Sequence, residues 1–315
     1  MIVYAFPGQG SHSPGMGLDL AAHFPVFHAL ADEASEVLGF DLAALVKEGG
    51  DRLNQTMYTQ PALLWAGYAA FVAWRQHGGP APDLLCGHSL GEYTALVAAE
   101  VLDYADAIRL VHQRGQLMQQ QVAPQESLMA AIIGLEDQQV IDICTELCAE
   151  AKDPQALSPA NFNAKGQVVV AGKATALASL QVKAQAAGAR RVLPLTMSVP
   201  SHCALMEGAR VQLAEFAQSI KFAAAQTPIV QNLDATARTD ATEIKTALIN
   251  QLTGSVRWRQ TLATFTDASE FIESGPGSVL QGLAKRALPD TRLHGIGSAT
   301  AFATAAHSFR LAVLQ

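Results

Sequence analysis

Residues 84–102, "LLCGHSLGEYTALVAAEVL", pass from a short apolar run into an apolar run with helical spacing. The corner between the two holds Ser89, with Gly87 two residues before it and Gly91 two after. A buried strand that feeds directly into a helix leaves little room for side chains at the turn. Glycines at those two places remove the crowding, so the middle residue can take a strained backbone and turn its hydroxyl outward. This is the pattern of a nucleophile elbow, and it points to an α/β protein with reactive groups in loops at strand ends. On the motif alone, a serine N-cap between incidental glycines remains the alternative.

The bulk composition narrows the classes. With 315 residues, half of them hydrophobic, the chain can build one large domain or a domain that carries a subdomain. A net charge of −7 with no basic run argues against a nucleic-acid binder. The opening "MIVYAFPGQG" has no positive region and only six residues before Pro7-Gly8, so it reads as neither a signal peptide nor a membrane span. No later apolar run reaches spanning length. The four cysteines, Cys86, Cys144, Cys148 and Cys203, form no C-x-x-C pair, and Cys144 and Cys148 read as reduced packing residues on one helix. A cytoplasmic protein without disulfides is expected.

Along the chain, residues 1–6 read as a short buried strand. Helical spacing covers 24–39, stopped by Gly39, and about 61–77, with Pro61 in its first turn and Gly78-Gly79 behind it. The strand and elbow follow, then helices over about 91–101 and 104–122. From residue 127 the rhythm changes: strand 127–135, amphipathic helix 136–151, strands 156–163 and 167–172 around the "AKG" turn, helix 174–188 and strand 189–197. That βαββαβ order is the ferredoxin-like split motif. From "SVPSH" the earlier alternation resumes, with strand 228–233, helices near 243–252 and 258–267, and strand 270–274. The turn and helix of "GPGSVLQGLAKR", a strand near 292–296 and a helix from about 299 close the chain. The main body is therefore split around a small inserted subdomain.

A serine nucleophile needs a base within hydrogen-bond reach, and nine histidines are available. His88 adjoins Ser89, but neighbours on an elbow point apart, which makes it a packing residue or an indirect support. His23, His28, His77, His112, His294 and His307 fall on expected helices or strand ends, where surface or satisfied histidines are the rule. His202 follows the last strand of the insertion, in a loop that opens into a helix, where α/β folds set reactive groups. Base and structural residue stay equal alternatives for it here. The "PGQGS" loop at 7–11 pairs glycines with Gln9 and suits backbone N–H groups gathered toward an anion. A plain glycine-rich turn has the same appearance.

Taken together, "FPGQGS" at 6–11, "TQPALL" at 59–64, "GHSLGEY" at 87–93, "RGQLMQ" at 114–119, "NFN" at 161–163, "SVPSH" at 198–202 and "GPGSVL" at 275–280 fall in a familiar order. In these blocks, and nearly end to end, the chain resembles the malonyl-CoA:acyl-carrier-protein transacylases. The resemblance implies an α/β-hydrolase-like large subdomain with a parallel sheet, residues 1–126 and 198–315, and an inserted ferredoxin-like subdomain, residues 127–197. It implies that Ser89 accepts the acyl group and His202 is its base. Gln9 and the backbone N–H of Leu90 would form the oxyanion hole, and the Gln251 carbonyl would orient the histidine. Arg114 would pair with the free carboxylate of the malonyl group, although on its own it reads as a solvated helix residue. Gln9, His88, Asn161 and Asn163 complete the expected substrate-binding set. Malonyl-CoA and an acyl carrier protein are the implied partners, with no metal, no cofactor, no nucleic acid and no membrane, and a monomer is expected. His12 departs from the family pattern, standing where many relatives carry glutamine, and the tail after residue 296 matches only loosely.

Three rivals remain at this point. A serine hydrolase shares the elbow and histidine, but its usual order places an acid and then the histidine late in the chain. Here the best histidine is central, with no persuasive acid between it and Ser89. A proofreading acyl hydrolase on the same scaffold and a non-catalytic docking module are the others. A carrier protein is expected to be acidic, as this chain is, so docking would need a local basic patch. Arg190-Arg191 and Lys285-Arg286 are the visible basic pairs, and Lys165 sits in a loop of the insertion.

Overall fold

The computed structural model describes residues 1–195 and 199–311, apart from the side chain of Pro124. The chain opens with β1 (Ile2–Phe6). Val3 and Ala5 join one core and Tyr4 and Phe6 another, because apolar layers cover both faces of the sheet. Helices α1 (Leu18–Ala21), α2 (Val26–Leu38), α3 (Leu42–Glu48), α4 (Gly50–Leu53) and α5 (Thr56–Gln76) fill the first connection. Strand β2 (Leu84–Gly87) then pairs parallel with β1, placing Gly87 opposite Phe6. It runs through Ser89 into α6 (Leu90–Ala98), followed by α7 (Tyr104–Gln121).

The inserted part comprises β3 (Ser127–Ile133), α8 (Asp137–Ala151), β4 (Leu157–Ala164), β5 (Gln167–Lys173), α9 (Leu177–Ala186) and β6 (Arg191–Pro194). Its four strands form an antiparallel sheet in the order β4-β5-β3-β6, the ferredoxin-like arrangement. The two-residue period of β3 sends Leu128, Ala130 and Ile132 into a core with residues of α8 and α9. Met129 and Ala131 face the other way, onto Cys203.

The chain then returns to the larger part through α10 (Glu207–Phe216), β7 (Ile229–Val230), β8 (Ala237–Arg238), α11 (Ala241–Asn250) and α12 (Trp258–Ala263). It finishes with β9 (Glu270–Glu273), α13 (Val279–Ala287), β10 (Arg292–Gly295) and α14 (Ala299–Ser308). The six-stranded sheet has the order β10-β9-β1-β2-β7-β8 and is parallel except at the β7–β8 edge. With β1 and β2 central, the loops after them meet at the carboxyl end of the sheet, where open α/β sheets place ligands. Backbone bonds tie β4 of the smaller sheet to the loop before α12 in the larger part: Phe162 N–H donates to the Val256 carbonyl at 2.9 Å, and Val256 N–H to the Ala160 carbonyl at 2.8 Å.

Several expected boundaries shift. The helix expected from Pro61 begins at Thr56, which leaves Pro61 inside it. A proline there removes the N–H that would bond the carbonyl four residues back, Met57. His112 Nδ1 on α7 donates to that carbonyl instead, at 2.9 Å, and Gln119 Oε1 accepts the Met57 N–H at 2.7 Å. The strand expected over 228–233 pairs only at Ile229–Val230, because Gln231 and Asn232 turn to partners in α6. The strand expected over 189–197 is observed as Arg191–Pro194, while residues 196–198, including the start of "SVPSH", lie outside the described residues.

The elbow leaves no room for side chains at its two glycines. A Cβ on Gly91 would overlap the Phe6 carbonyl, and one on Gly87 would overlap the Gly91 carbonyl. Gly91→Ala should therefore destabilise the protein by about 3 kcal/mol or more. Thermal unfolding should show it as a melting temperature lowered by about 6 °C or more. An unchanged melting point would mean the helix can lift off β1 freely.

Candidate active site

Ser89 sits at φ 51° and ψ −106°, a left-handed conformation that costs a residue with a Cβ about 1–3 kcal/mol. Bonds from distant segments hold it there. Ser89 N–H donates to Asn232 Oδ1 at 2.7 Å, and Gln251 Nε2 donates to the Ser89 carbonyl at 3.1 Å. The reward for the strain is the direction of the hydroxyl. Ser89 Oγ lies 2.7 Å from His202 Nε2.

His202 Nδ1 lies 2.8 Å from the Gln251 carbonyl. A carbonyl only accepts, so Nδ1 carries the proton, and in the neutral ring Nε2 keeps the lone pair that faces the serine. His202 is itself at φ 61°, so both members of the pair stand on left-handed backbone. Burial pushes its imidazole down to about 3. The nearby Arg114 charge adds to this, and the Gln251 carbonyl works against it.

Arg114, only 1% exposed, projects from α7 into the same place. Its Nη2 reaches Ser89 Oγ at 3.3 Å and Gln251 Oε1 at 3.4 Å, and its guanidinium carbon stands 5.3 Å from the centre of the Tyr93 ring. Its Nε has no partner, and among the described residues no carboxylate is in ion-pair range of it. Burial draws Arg114 below the ordinary arginine value. A planar guanidinium with donors to spare has the geometry to pair with a carboxylate.

Gln9, His88, Ser89, Leu90, Arg114, Asn161, Asn163 and His202 all border one cavity of about 230 Å³, walled by both parts of the chain. Gln251 is buried beneath it. Gln9 Nε2 is bonded to Thr56 Oγ1 at 3.2 Å, and Gly8, Gln9 and Gly10 line the cavity. Leu90 opens α6, and the first N–H groups of a helix have no acceptor within it. His12, the departure from the family pattern, braces this loop: Gly10 N–H donates to its Nδ1 at 3.4 Å, and its Nε2 meets Asn54 Oδ1 at 3.2 Å. His88 borders the cavity with its ring turned from the serine. Its Nε2 meets Asn163 Oδ1 at 2.8 Å, its ring packs edge-on to Trp258, and burial draws it below the ordinary histidine value.

Three buried residues escaped the sequence reading: Glu92, Gln231 and Asn232. A carboxylate in the apolar run "GEYTALVAA" and a Gln-Asn pair at a strand end were the available signals.

The acyl transferase domain family matches residues 3–306 of this chain. The malonyl CoA-acyl carrier protein transacylase of Escherichia coli (strain K12) is 44% identical over 305 residues, which cover 96% of this chain and 97% of the relative. The crystal structure of an acyl carrier protein S-malonyltransferase from Vibrio cholerae O1 biovar eltor str. N16961 is 45% identical, with a TM-score of 0.92 over 96% of this chain and 99% of that one. A malonyl-transacylase solved in complex with its type II PKS acyl-carrier protein is 44% identical, with a TM-score of 0.93 over 98% of this chain and 99% of that one. The chain belongs to the malonyl-CoA:acyl-carrier-protein transacylase family.

The low position of His202 has a testable sign. A base works while it is neutral, so its reactivity is lost as pH falls through its own value, here about 3. Labelling of Ser89 by a fluorophosphonate should stay level from neutral pH down to about pH 5, well below the ordinary histidine value near 6.5. Arg114→Ala removes a repelling charge, so its acid limb should move to higher pH. A wild-type limb at the ordinary value would contradict the burial argument.

Proposed function

We propose that this protein transfers a malonyl group from malonyl-CoA to the phosphopantetheine thiol of an acyl carrier protein, through a malonyl ester on Ser89. The observation that carries this reading is one convergence. The serine hydroxyl lies against the free nitrogen of a neutral histidine, and 3.3 Å away stands a buried guanidinium with no ion-pair partner among the described residues. Serine and histidine alone suit many acyl transfers. The guanidinium selects an acyl group that ends in a carboxylate.

As Ser89 Oγ adds to the thioester carbonyl, its proton passes to His202 Nε2, and the Gln251 carbonyl steadies the imidazolium through Nδ1. Backbone N–H groups of Leu90 and the Gln9 loop meet the oxyanion. Collapse breaks the C–S bond, and His202 returns the proton to the departing CoA sulfur. The carrier thiol then gives its proton to His202 and attacks the ester, and Ser89 Oγ recovers a proton from the imidazolium as it leaves. These steps run on side chains and call for no cofactor. Arg114 has a second effect. Its charge weakens His202 in the empty site, and a bound carboxylate offsets that charge, so the base strengthens when a malonyl group arrives.

His88, Asn161 and Asn163 form the wall along which the acyl thioester lies. Residues 1–126 with 198–315 act as the catalytic subdomain, and residues 127–197 close the cavity from the other side. Lys285 and Arg286 end the helix whose Val279 and Leu283 border the cavity, which favours them over Lys165, paired with Glu136, as the carrier's docking patch. No helix among the described residues is long and apolar enough to cross a membrane. A cytoplasmic, monomeric enzyme of fatty-acid or polyketide synthesis completes the proposal.

Incubation with malonyl-CoA should add one malonyl mass on Ser89, absent in Ser89→Ala, and a holo acyl carrier protein should then take it up. Release of free malonate in place of the carrier ester would mark a hydrolase. Arg114→Ala should lower the ratio of malonyl to acetyl transfer by one to two powers of ten, the loss of a charge-assisted pair worth about 1.5–3 kcal/mol. Arg114→Lys should recover part of it, keeping charge without the two-pronged geometry. An unchanged ratio in Arg114→Ala would mean that selectivity lies elsewhere in the cavity.

A further inference from the structure

One buried polar cluster takes no part in the transfer steps. Asn232 lies just past β7, and its side chain spans the elbow. Its Oδ1 accepts the Ser89 N–H at 2.7 Å, and its Nδ2 donates to the Gly87 carbonyl at 2.6 Å. A carboxamide offers an acceptor and a donor side by side, which matches the N–H and C=O exposed on either side of the turn.

Asn232 is fixed in its turn by Glu92, in the first turn of α6. Glu92 Oε2 accepts the Asn232 backbone N–H at 2.7 Å, and Oε1 accepts Gln231 Nε2 at 3.1 Å. Gln231 Nε2 also reaches the Ile244 carbonyl at 3.0 Å. All three side chains have no exposed surface. A carboxylate out of water is costly unless bonded, and these N–H groups supply the bonds. The cluster thus ties the end of β7 to the helix that Ser89 opens.

We propose that Asn232 is a positioning residue for acyl transfer, locked by Glu92, and that it holds Ser89 in the left-handed backbone that sets its Oγ on His202 Nε2. The proposal rests on the reading of Ser89 as the acyl acceptor. Without the carboxamide, the Ser89 N–H and the Gly87 carbonyl lose their partner in a dry corner, and the strained turn relaxes away from His202. A displacement of about 1 Å at a reacting atom costs on the order of 10²-fold in rate.

The test uses the full chain and two readouts, both taken per folded molecule by near-ultraviolet circular dichroism. Fluorophosphonate labelling of Ser89 reports the reactivity of the hydroxyl without malonyl-CoA, and single-turnover malonylation reports transfer. Asn232→Ala should slow both by about 10²-fold, with half-saturation by malonyl-CoA changed by less than about twofold. Asn232→Asp keeps the acceptor for the Ser89 N–H and loses the donor to Gly87, so it should fall between Asn232→Ala and wild type. Glu92→Gln should slow both by about tenfold, and the double variant should be no slower than Asn232→Ala, because Glu92 acts through Asn232. If Asn232→Ala does not fold, the Asn232→Asp and Glu92→Gln rates decide the matter. A lowered melting temperature with wild-type rates would reduce Asn232 to a structural role and overturn the proposal. Additive losses in the double variant would overturn the lock by Glu92. A wild-type chain that labels with the fluorophosphonate yet transfers no malonyl group would instead overturn the function proposed above, and the labelling rates would still decide the role of Asn232.

Discussion

The Phe6 carbonyl at the end of β1 lies against the α-carbon of Gly91 in α6, so close that only hydrogen fits between them. Because that helix cannot stand off, the chain must turn within the two residues between the end of β2 and the start of α6. Ser89 is forced into its left-handed backbone, and the Pro7–Gly10 loop is brought beside the first turn of α6. Ser89, the start of the helix and the Gln9 loop therefore share one origin in packing. The rest of the site is arranged around this corner by segments distant in sequence, with Gln251 reaching Ser89, Arg114 and His202 at once.

The electrostatics of the site follow from burial. Arg114, His202 and Glu92 are all removed from water; N–H donors face the Glu92 carboxyl, whereas Arg114 meets only neutral acceptors. Arg114 stays cationic in a place where a cation is costly, and that cost is an open demand for an anion. Burial, and after it the same charge, holds the His202 imidazole low, so the two roles proposed above for Arg114 and His202 are coupled.

Much of this was legible in the chain itself. The apolar run at residues 128–133 and the βαββαβ order marked the insertion, and glycine spacing marked the elbow, because these are local features of the chain. Ser89, His202, Gln9, His88, Asn161, Asn163 and Arg114, all singled out in the sequence, border one cavity. Local pattern alone could not tell Arg114 from a solvated helix residue, since its burial depends on α5 and α6 packing over α7. Glu92 and Asn232 were hidden for a related reason. An acid in a first helical turn and an asparagine after a strand are ordinary capping and turn residues, and their partnership spans 140 positions. Pro61 misled in the opposite sense, reading as a helix start where a neighbouring helix had made an interior proline tolerable.

That interior proline reaches further than its own helix. The Met57 carbonyl it leaves unclaimed and the Met57 N–H are taken by His112 and Gln119, which bracket Arg114 along α7, while Gly115 lets the two backbones touch. Met57 thus acts as a stop in both axial directions. A slip of α7 by one residue would translate it by about 1.5 Å and swing its side chains through roughly 100°, and either direction breaks one of the two bonds. The Arg114 guanidinium is kept in phase with Ser89 by an amide proton that α5 does not have.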